Sequence, residues 1–197
     1  MIQSKIIGIA GHKRSGKSTA SQALQSEYGF TLGSFAAPLK AAVRIIFDWT
    51  EEHTDGQLKD VIDPRWGISP RQAMQHIGTD WGQIELSAAY PLFQQVTGRR
   101  LWVNRLLDSV GDSPMVIPDV RFPHEADAIH SRGGAVIMIK RPGYDGDGHA
   151  SETEIDGLSF DHLIVNDGTV ADLQSAISLL FCNASGYAIE SYFQPAY

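Results

Sequence analysis

A glycine-rich turn between an apolar segment and a helical segment constrains this chain more than any other feature. Residues Lys5–Ala10 have the composition of a buried strand, because they are rich in isoleucine and are followed by a glycine. The next residues, Gly11–Thr19, match the pattern G-x-x-x-x-G-K-[ST] at every fixed position. A helix pattern runs over Lys17–Ser26 and closes near Gly29. Strand, loop and helix in this order predict a P-loop that holds nucleotide phosphates. A chance match in a glycine-bearing turn is the alternative.

Each fixed position of this loop has a physical reason. Gly11 and Gly16 permit backbone angles and close approaches that a side chain blocks. Successive N–H groups then point inward, beside the positive end of the following helix. Lys17 is expected to reach the β- and γ-phosphates, and the Ser18 hydroxyl to bind Mg²⁺. The predicted ATP-binding residues are Gly11, Lys13, Ser15, Gly16, Lys17, Ser18 and Thr19.

Strand and helix patterns alternate along the rest of the chain. Strands are predicted at residues 30–35, 114–120, 135–140 and 162–165, and helices at 38–49, 70–77, 102–110, 123–132 and 170–181. Residues 50–67 are acidic and turn-rich, so an exposed excursion is expected there. The pattern predicts a single α/β domain, a three-layer α/β/α fold around a five-stranded parallel sheet. Ligands of such sheets bind beyond the carboxyl ends of the strands.

The distribution of charge excludes some partners. The net charge is −7, which argues against a protein that coats a nucleic acid polymer. All 16 Lys and Arg residues lie within residues 1–141, so a small anion would bind to that part of the chain. There is one cysteine, Cys182, and no apolar stretch of 18 residues, so we expect a soluble cytoplasmic protein with no membrane partner.

The strand that ends at Asp119 indicates which kind of P-loop protein this is. Asp119 is followed by Val120 and Arg121, so no water-activating acid stands beside it. No Asn-Lys-x-Asp occurs for reading guanine. A site of this kind favours transfer to an acceptor over hydrolysis. Asp119 and Ser18 are the predicted Mg²⁺ ligands, and a plain turn residue is the alternative for Asp119. Pro118 lacks an N–H, so it is expected to mark a bulge.

Four further strings carry a resemblance. They are Phe35–Lys40, Gln75–Asp80, Asp119–Ala126 with the pattern D-V-R-F-P-x-E-A, and His149–Glu152 with the pattern H-x-S-E. Together with the P-loop they resemble the phage-type deoxynucleoside monophosphate kinases, members of the nucleoside-monophosphate-kinase-like P-loop fold. The resemblance implies transfer of the ATP γ-phosphoryl group to a deoxynucleoside monophosphate with Mg²⁺, and a phage source. The family often has an arginine shortly after the Gly-Thr-Asp string, where this chain has Trp81-Gly82-Gln83.

Phosphoryl transfer brings two anionic groups together, so several cations must converge. Lys17, Arg14 and Arg121 are the predicted catalytic residues, and an ion pair with Glu125 is the alternative role for Arg121. The other candidate cations are Lys13, Lys40, Arg71, Arg99, Arg100, Lys140 and Arg141. Arg71, Arg99 or Arg100 would replace the missing arginine.

The predicted acceptor-binding residues are Lys40, Arg71, Gln75, Asp80, Trp81, Arg121 and Glu152. Their alternatives are a solvated surface position for Lys40 and Arg71, a core position for Trp81, and a helix-capping acid for Glu152. Residues 50–111 are predicted as a helical acceptor-binding insertion, and the glycine-rich residues 141–153 as a short lid. Two other functions stay open, namely another P-loop small-molecule kinase (dephospho-CoA-like or sugar) and a non-catalytic ATP-binding regulator. A homodimer also stays open.

Overall fold

The computed structural model describes residues 2–144 and 155–181. The chain divides into two compact units. We call residues 1–34 and 109–197 the sheet unit, and residues Phe35–Asp108 the helical unit. Within the described ranges, no helix is long and apolar enough to cross a membrane.

A five-stranded, fully parallel sheet forms the sheet unit, which confirms the predicted fold class. In the order β2-β3-β1-β4-β5, its strands are β1 (Ile6–Ala10), β2 (Thr31–Leu32), β3 (Met115–Val120), β4 (Ala135–Lys140) and β5 (His162–Val165). The prediction of a strand over 30–35 was too long. Phe30 instead closes the end of the preceding helix, because its N–H donates to the carbonyl of Leu24 (3.2 Å).

Helices of the sheet unit cover both faces of the sheet. They are α1 (Lys17–Tyr28), α8 (Pro123–Ser131) and α9 (Val170–Phe181). Helices α1 and α9 share an apolar core with Ile7 and Ile9 of β1. Gly8 points to the opposite face, where a Cβ atom would lie 2.7 Å from the Ile129 Cδ1 of α8. The absent side chain therefore lets α8 pack closely against the middle strand.

Strands β1 and β3 change register next to the predicted site. Gly8 pairs with Ile117, whereas Ala10 pairs with Val120. Strand β3 thus holds one residue more than β1 over this interval, which is a β-bulge. Pro118 lies in the bulge, as the sequence predicts, because it has no N–H to give to the ladder.

The order of the strands fixes where a ligand can enter. From β1 the chain runs to β2 at one edge of the sheet, and from β3 it runs back past β1 to β4, towards the other edge. The winding therefore reverses between the carboxyl ends of β1 and β3, which are direct neighbours. Open α/β sheets have their binding crevice at such a point.

The helical unit is built from short helices. They are α2 (Ala37–Phe47), α3 (Glu51–Thr54), a 3₁₀-helix (Gln57–Asp60), α4 (Pro70–Gln75), a π-helix (His76–Glu85), α5 (Leu86–Ala89), α6 (Pro91–Val96) and α7 (Leu101–Leu107). Its buried core contains Val43, Trp49, Ala73 and Met74. Ser69 caps α4 through reciprocal hydrogen bonds with Gln72.

Two expectations for this unit were wrong in part. The helix predicted to end near Ile77 is α-helical only to Gln75 and continues as the π-helix. Residues 50–67 are not only an exposed excursion, since they contain α3, the 3₁₀-helix and the buried Asp63. The carboxylate of Asp63 accepts hydrogen bonds from Arg65 and from the Trp49 indole N–H (2.8 Å). These bonds hold the pKa of Asp63 far below its usual range.

Candidate functional site

The P-loop backbone has the conformations that its two glycines permit. Gly11 has a φ of 146° and Gly16 a φ of 111°, which L-residues with side chains rarely adopt. A Cβ atom on Gly11 would lie 2.3 Å from the carbonyl oxygen of Ile139 on β4. A Cβ atom on Gly16 would lie 2.7 Å from the Asn166 Nδ2. Both positions therefore require glycine for conformation and for space.

The side chains of the loop divide into those that hold it and those that face solvent. The Lys17 ammonium donates to the carbonyls of Gly11 (2.6 Å) and His12 (2.8 Å), so it lies over the loop at the start of α1. Ser15 is buried, and Thr19 is half-buried. The exposed residues are Lys13, Arg14 and Ser18. Arg14 itself has a left-handed φ of 67°.

Asn166, which follows β5, supports the loop from behind. Its Nδ2 donates to the carbonyl of Ser15 (2.8 Å), and its side chain is buried. Because this carbonyl accepts a hydrogen bond from Asn166, it is held away from the phosphate position. A carbonyl oxygen that faced the phosphate would repel it. The rule that sites lie at strand carboxyl ends could have found this residue, but the sequence analysis did not name it.

Asp119 lies at the carboxyl end of β3, in the strand beside the P-loop strand. Its Oδ2 accepts a hydrogen bond from the Ser34 hydroxyl (2.7 Å). Its Oδ1 is buried and has no hydrogen-bond partner among the described residues. A buried carboxylate oxygen without a partner is costly unless something else binds it. Ser34 was missed because it was placed inside a strand that ends earlier.

The oxygens of Asp119 and Ser18 are of the type that Mg²⁺ takes. Within residues 2–144 and 155–181, no three His, Cys, Asp or Glu side chains gather to form a metal site. Mg²⁺ in phosphoryl transfer commonly needs only one or two protein ligands, since phosphate oxygens and water supply the others. The donors present therefore fit this ion.

The alternative role given to Arg121 was wrong. The Glu125 carboxylate does not pair with the guanidinium but accepts the main-chain N–H groups of Arg121 (2.7 Å) and Phe122 (3.1 Å). The Arg121 side chain is exposed and forms no ion pair with the residues that the structure describes. Glu125 is buried, and burial raises its pKa to about 7, against the opposing effect of the two N–H donors.

In the helical unit, two predicted acceptor-binding cations are held by acids. Lys40 of α2 pairs with Asp55, and Arg71 of α4 forms a two-point pair with Asp60 (Nη2–Oδ2 3.0 Å). Burial lowers the pKa of the half-buried Lys59, and the charges of Lys40 and Arg71 lower it further. These three cations therefore lie near one another, and Lys59 is a member that the sequence analysis did not name.

The other acceptor-binding predictions follow α4 into the π-helix. Gln75 is exposed at the end of α4, and Asp80 accepts a hydrogen bond from His76 (3.0 Å) if that ring nitrogen carries the proton. Trp81 is 41% exposed, so it is not a core residue. The indole of Trp102 is half-buried and donates to the Gly78 carbonyl (2.9 Å).

The remaining candidates have these positions. Arg99 contacts Gln83 (3.4 Å), and Arg100 donates to the Thr97 carbonyl (3.4 Å). Arg141 lies over the ring of Tyr144. Glu152, His149 and most of the predicted lid lie outside the described residues.

Comparison with known proteins shows the family of this chain. The family model described as deoxynucleotide monophosphate kinase matches residues 53–177. A protein of Acanthamoeba polyphaga mimivirus, whose name assigns it to the same kinases, is 38% identical over 188 residues, which cover 91% of this chain and 97% of that one. This chain belongs to the deoxynucleotide monophosphate kinase family.

Two further proteins are less similar to this chain. The deoxynucleotide monophosphate kinase of Enterobacteria phage T4 is 31% identical over 119 residues, which span 59% of this chain but 46% of the phage protein. The crystal structure of TT1252 from Thermus thermophilus aligns with a TM-score of 0.47 at 20% identity, over 89% of this chain and 95% of that one.

Proposed function

We propose that this chain transfers the γ-phosphoryl group of ATP to a deoxynucleoside monophosphate, which yields ADP and a deoxynucleoside diphosphate. Family membership supports the reaction type. The observation that carries the proposal is the pairing of β1 with β3. This pairing brings the P-loop next to Asp119 and Arg121 at the point where the winding of the sheet reverses.

The roles of the sheet unit follow from charge. The P-loop N–H groups and Lys17 would bind the β- and γ-phosphates, with the other loop residues shaping the cradle. Ser18 and Asp119 would hold Mg²⁺, which neutralises phosphate charge when bound. Arg14 and Arg121 have exposed guanidiniums that can meet the transferred group and the acceptor phosphate.

The roles of the helical unit are proposed on its cations and its π-helix. Lys40 and Arg71, with Lys59 beside them, would bind the acceptor phosphate. The phosphate would replace the aspartate carboxylates that now pair with Lys40 and Arg71. Gln75, Asp80 and the exposed Trp81 would contact the sugar and base. Residues 50–111 would form the acceptor-binding insertion, and residues 141–153, with Glu152, would form a lid.

The protein would act in the cytoplasm, which is the host cytoplasm if the protein is phage-encoded.

A coupled assay of ADP release tests this function directly. The four deoxynucleoside monophosphates, their ribose counterparts, dephospho-CoA and gluconate are each supplied with ATP and Mg²⁺. We expect turnover with at least one deoxynucleoside monophosphate. Arg121→Ala should lower turnover strongly with little change in ATP affinity, whereas the exposed Arg105→Ala serves as a matched control that changes neither. Turnover with dephospho-CoA or gluconate alone would refute the proposal, as would ATP binding that no acceptor converts into ADP release.

A further inference from the structure

The chain from Val120 to Phe122 carries Arg121 at the carboxyl edge of the sheet, and it is held at both ends. Val120 is fully buried, and its side chain lies where a Cβ atom on Gly8 would clash with it (2.9 Å). After Phe122 the chain enters α8 at Pro123, which has no N–H. Between these points, the Glu125 carboxylate contributes the only hydrogen bonds that the described structure gives the main-chain N–H groups of Arg121 and Phe122.

A helix cap alone does not account for this arrangement. In a capping box, an acid at the third helical position returns to the N–H of the capping residue, which here is Phe122. Glu125 makes that bond at 3.1 Å, but its shorter bond, at 2.7 Å, goes one residue further back to Arg121. The same oxygen, Oε2, accepts both bonds, so the two N–H groups converge on one point.

We propose that Glu125 is a positioning residue that fixes the main chain of Arg121. The backbone that carries the exposed guanidinium is then already ordered before the guanidinium binds phosphate. This inference rests on the phosphoryl transfer proposed above. Glu125 is only 8% exposed and its carboxylate bonds to main-chain N–H groups, so it acts through Arg121. One oxygen of the carboxyl makes both bonds, so this position requires an acceptor atom at that point.

Burial of the Glu125 carboxyl agrees with a neutral acceptor. The groups that face the Glu125 carboxyl are Asp119 of β3, which disfavours its ionised form, and Arg121, which favours it. Burial is the largest influence and raises the pKa to about 7, so the uncharged form is accessible near neutral pH. A glutamine at this position should therefore be tolerated and should still accept from both N–H groups.

The experiment compares four variants in the coupled assay with the best deoxynucleoside monophosphate. Glu125→Asp and Glu125→Ala withdraw the acceptor from both N–H groups and should lower kcat/KM roughly 10- to 100-fold, while Glu125→Gln should stay within about threefold of the parent. Asp127→Ala, at an exposed position of the same helix, is the matched control and should change nothing. Urea unfolding of each variant shows whether it is folded at the assay temperature, and the aspartate variant keeps the test informative if the alanine variant does not fold.

A double-mutant cycle separates positioning from general stability. If Glu125 acts through Arg121, then adding Glu125→Asp to Arg121→Ala should change kcat/KM by no more than about twofold. Additive losses would overturn the inference, as would equal activity of the aspartate variant and the parent, or an inactive but folded glutamine variant. A parent enzyme that is inactive with every deoxynucleoside monophosphate refutes the proposed function and this inference together, whereas the other outcomes refute only the inference.

Discussion

Replacing Asn166 by aspartate would change one hydrogen-bond donor into an acceptor directly behind the P-loop. The amide of Asn166 is 7% exposed and donates to the Ser15 carbonyl at 2.8 Å. The Cβ-free Gly16 lies against the same amide, so the space behind the loop is filled. In Asn166→Asp, two oxygens would face each other at that distance with little room for water between them.

The size of the effect follows from burial. A buried carbonyl that loses a hydrogen-bond donor costs about 1–3 kcal/mol, which is the value we expect for Asn166→Ala. The aspartate adds electrostatic repulsion, so about 2–4 kcal/mol is expected for Asn166→Asp. If the loop relieves the repulsion by rotating the Ser15 peptide, part of this cost is transferred to ATP binding, where 2 kcal/mol corresponds to a roughly 30-fold weaker Kd.

Urea unfolding with and without ATP, together with calorimetric ATP titration, measures both parts of this cost. Asp167→Asn turns the carboxylate of the exposed neighbouring residue into an amide and is the matched control. It should leave the free energy of unfolding and the Kd for ATP unchanged. An Asn166→Asp variant whose unfolding free energy lies within about 0.5 kcal/mol of the parent, with unaltered ATP affinity, would show that the loop does not depend on this donor.

Three further results are expected. Lys17→Met removes the two bonds of the ammonium to loop carbonyls (2.6 and 2.8 Å) and its charge, so turnover should fall about 100-fold or more; turnover within threefold of the parent would contradict the assigned role. Because burial raises the pKa of Glu125 from 4.5 to about 7, the folded state is most stable below pH 4.5 with respect to this group and loses about 3 kcal/mol as the pH rises to about 7. Urea unfolding from pH 5 to 8 should show this decline in the parent and a flatter profile in Glu125→Gln, and identical profiles would refute it. Trp102→Phe removes the donor to the Gly78 carbonyl (2.9 Å) and should lower the free energy of unfolding by about 1 kcal/mol, whereas no change would mean that the π-helix does not need this bond.

Local patterns predicted the sheet unit well. Strand β4 and helix α9 have the predicted bounds, because apolar strands and a capped amphipathic helix are set by neighbouring residues. The bulge at Pro118 was predictable for the same reason, since a missing N–H is a property of the residue itself.

The features that sequence reasoning missed depend on contacts between distant residues. Asn166 and Ser15 are 151 positions apart, and Ser34 and Asp119 are 85 apart. Within the π-helix, the Gly78 carbonyl accepts a hydrogen bond from Trp102, which lies 24 positions further along the chain, so periodicity within residues 76–85 could not indicate this contact. For the helical unit, the sequence identified Lys40 and Arg71 as cations but could not show that acids hold both of them.

The extra residue in β3 has a consequence for any redesign that removes the β-bulge. Side chains alternate between the two faces of a strand, so removing one residue between Ile117 and Val120 would restore an uninterrupted ladder with β1. Val120 would keep its place opposite Ala10, so the deletion would act on the two residues of the bulge, Pro118 and the aspartate beside the P-loop strand. A designer who idealises this sheet would therefore gain regularity and lose the alignment of carboxylate and arginine that the irregularity makes possible.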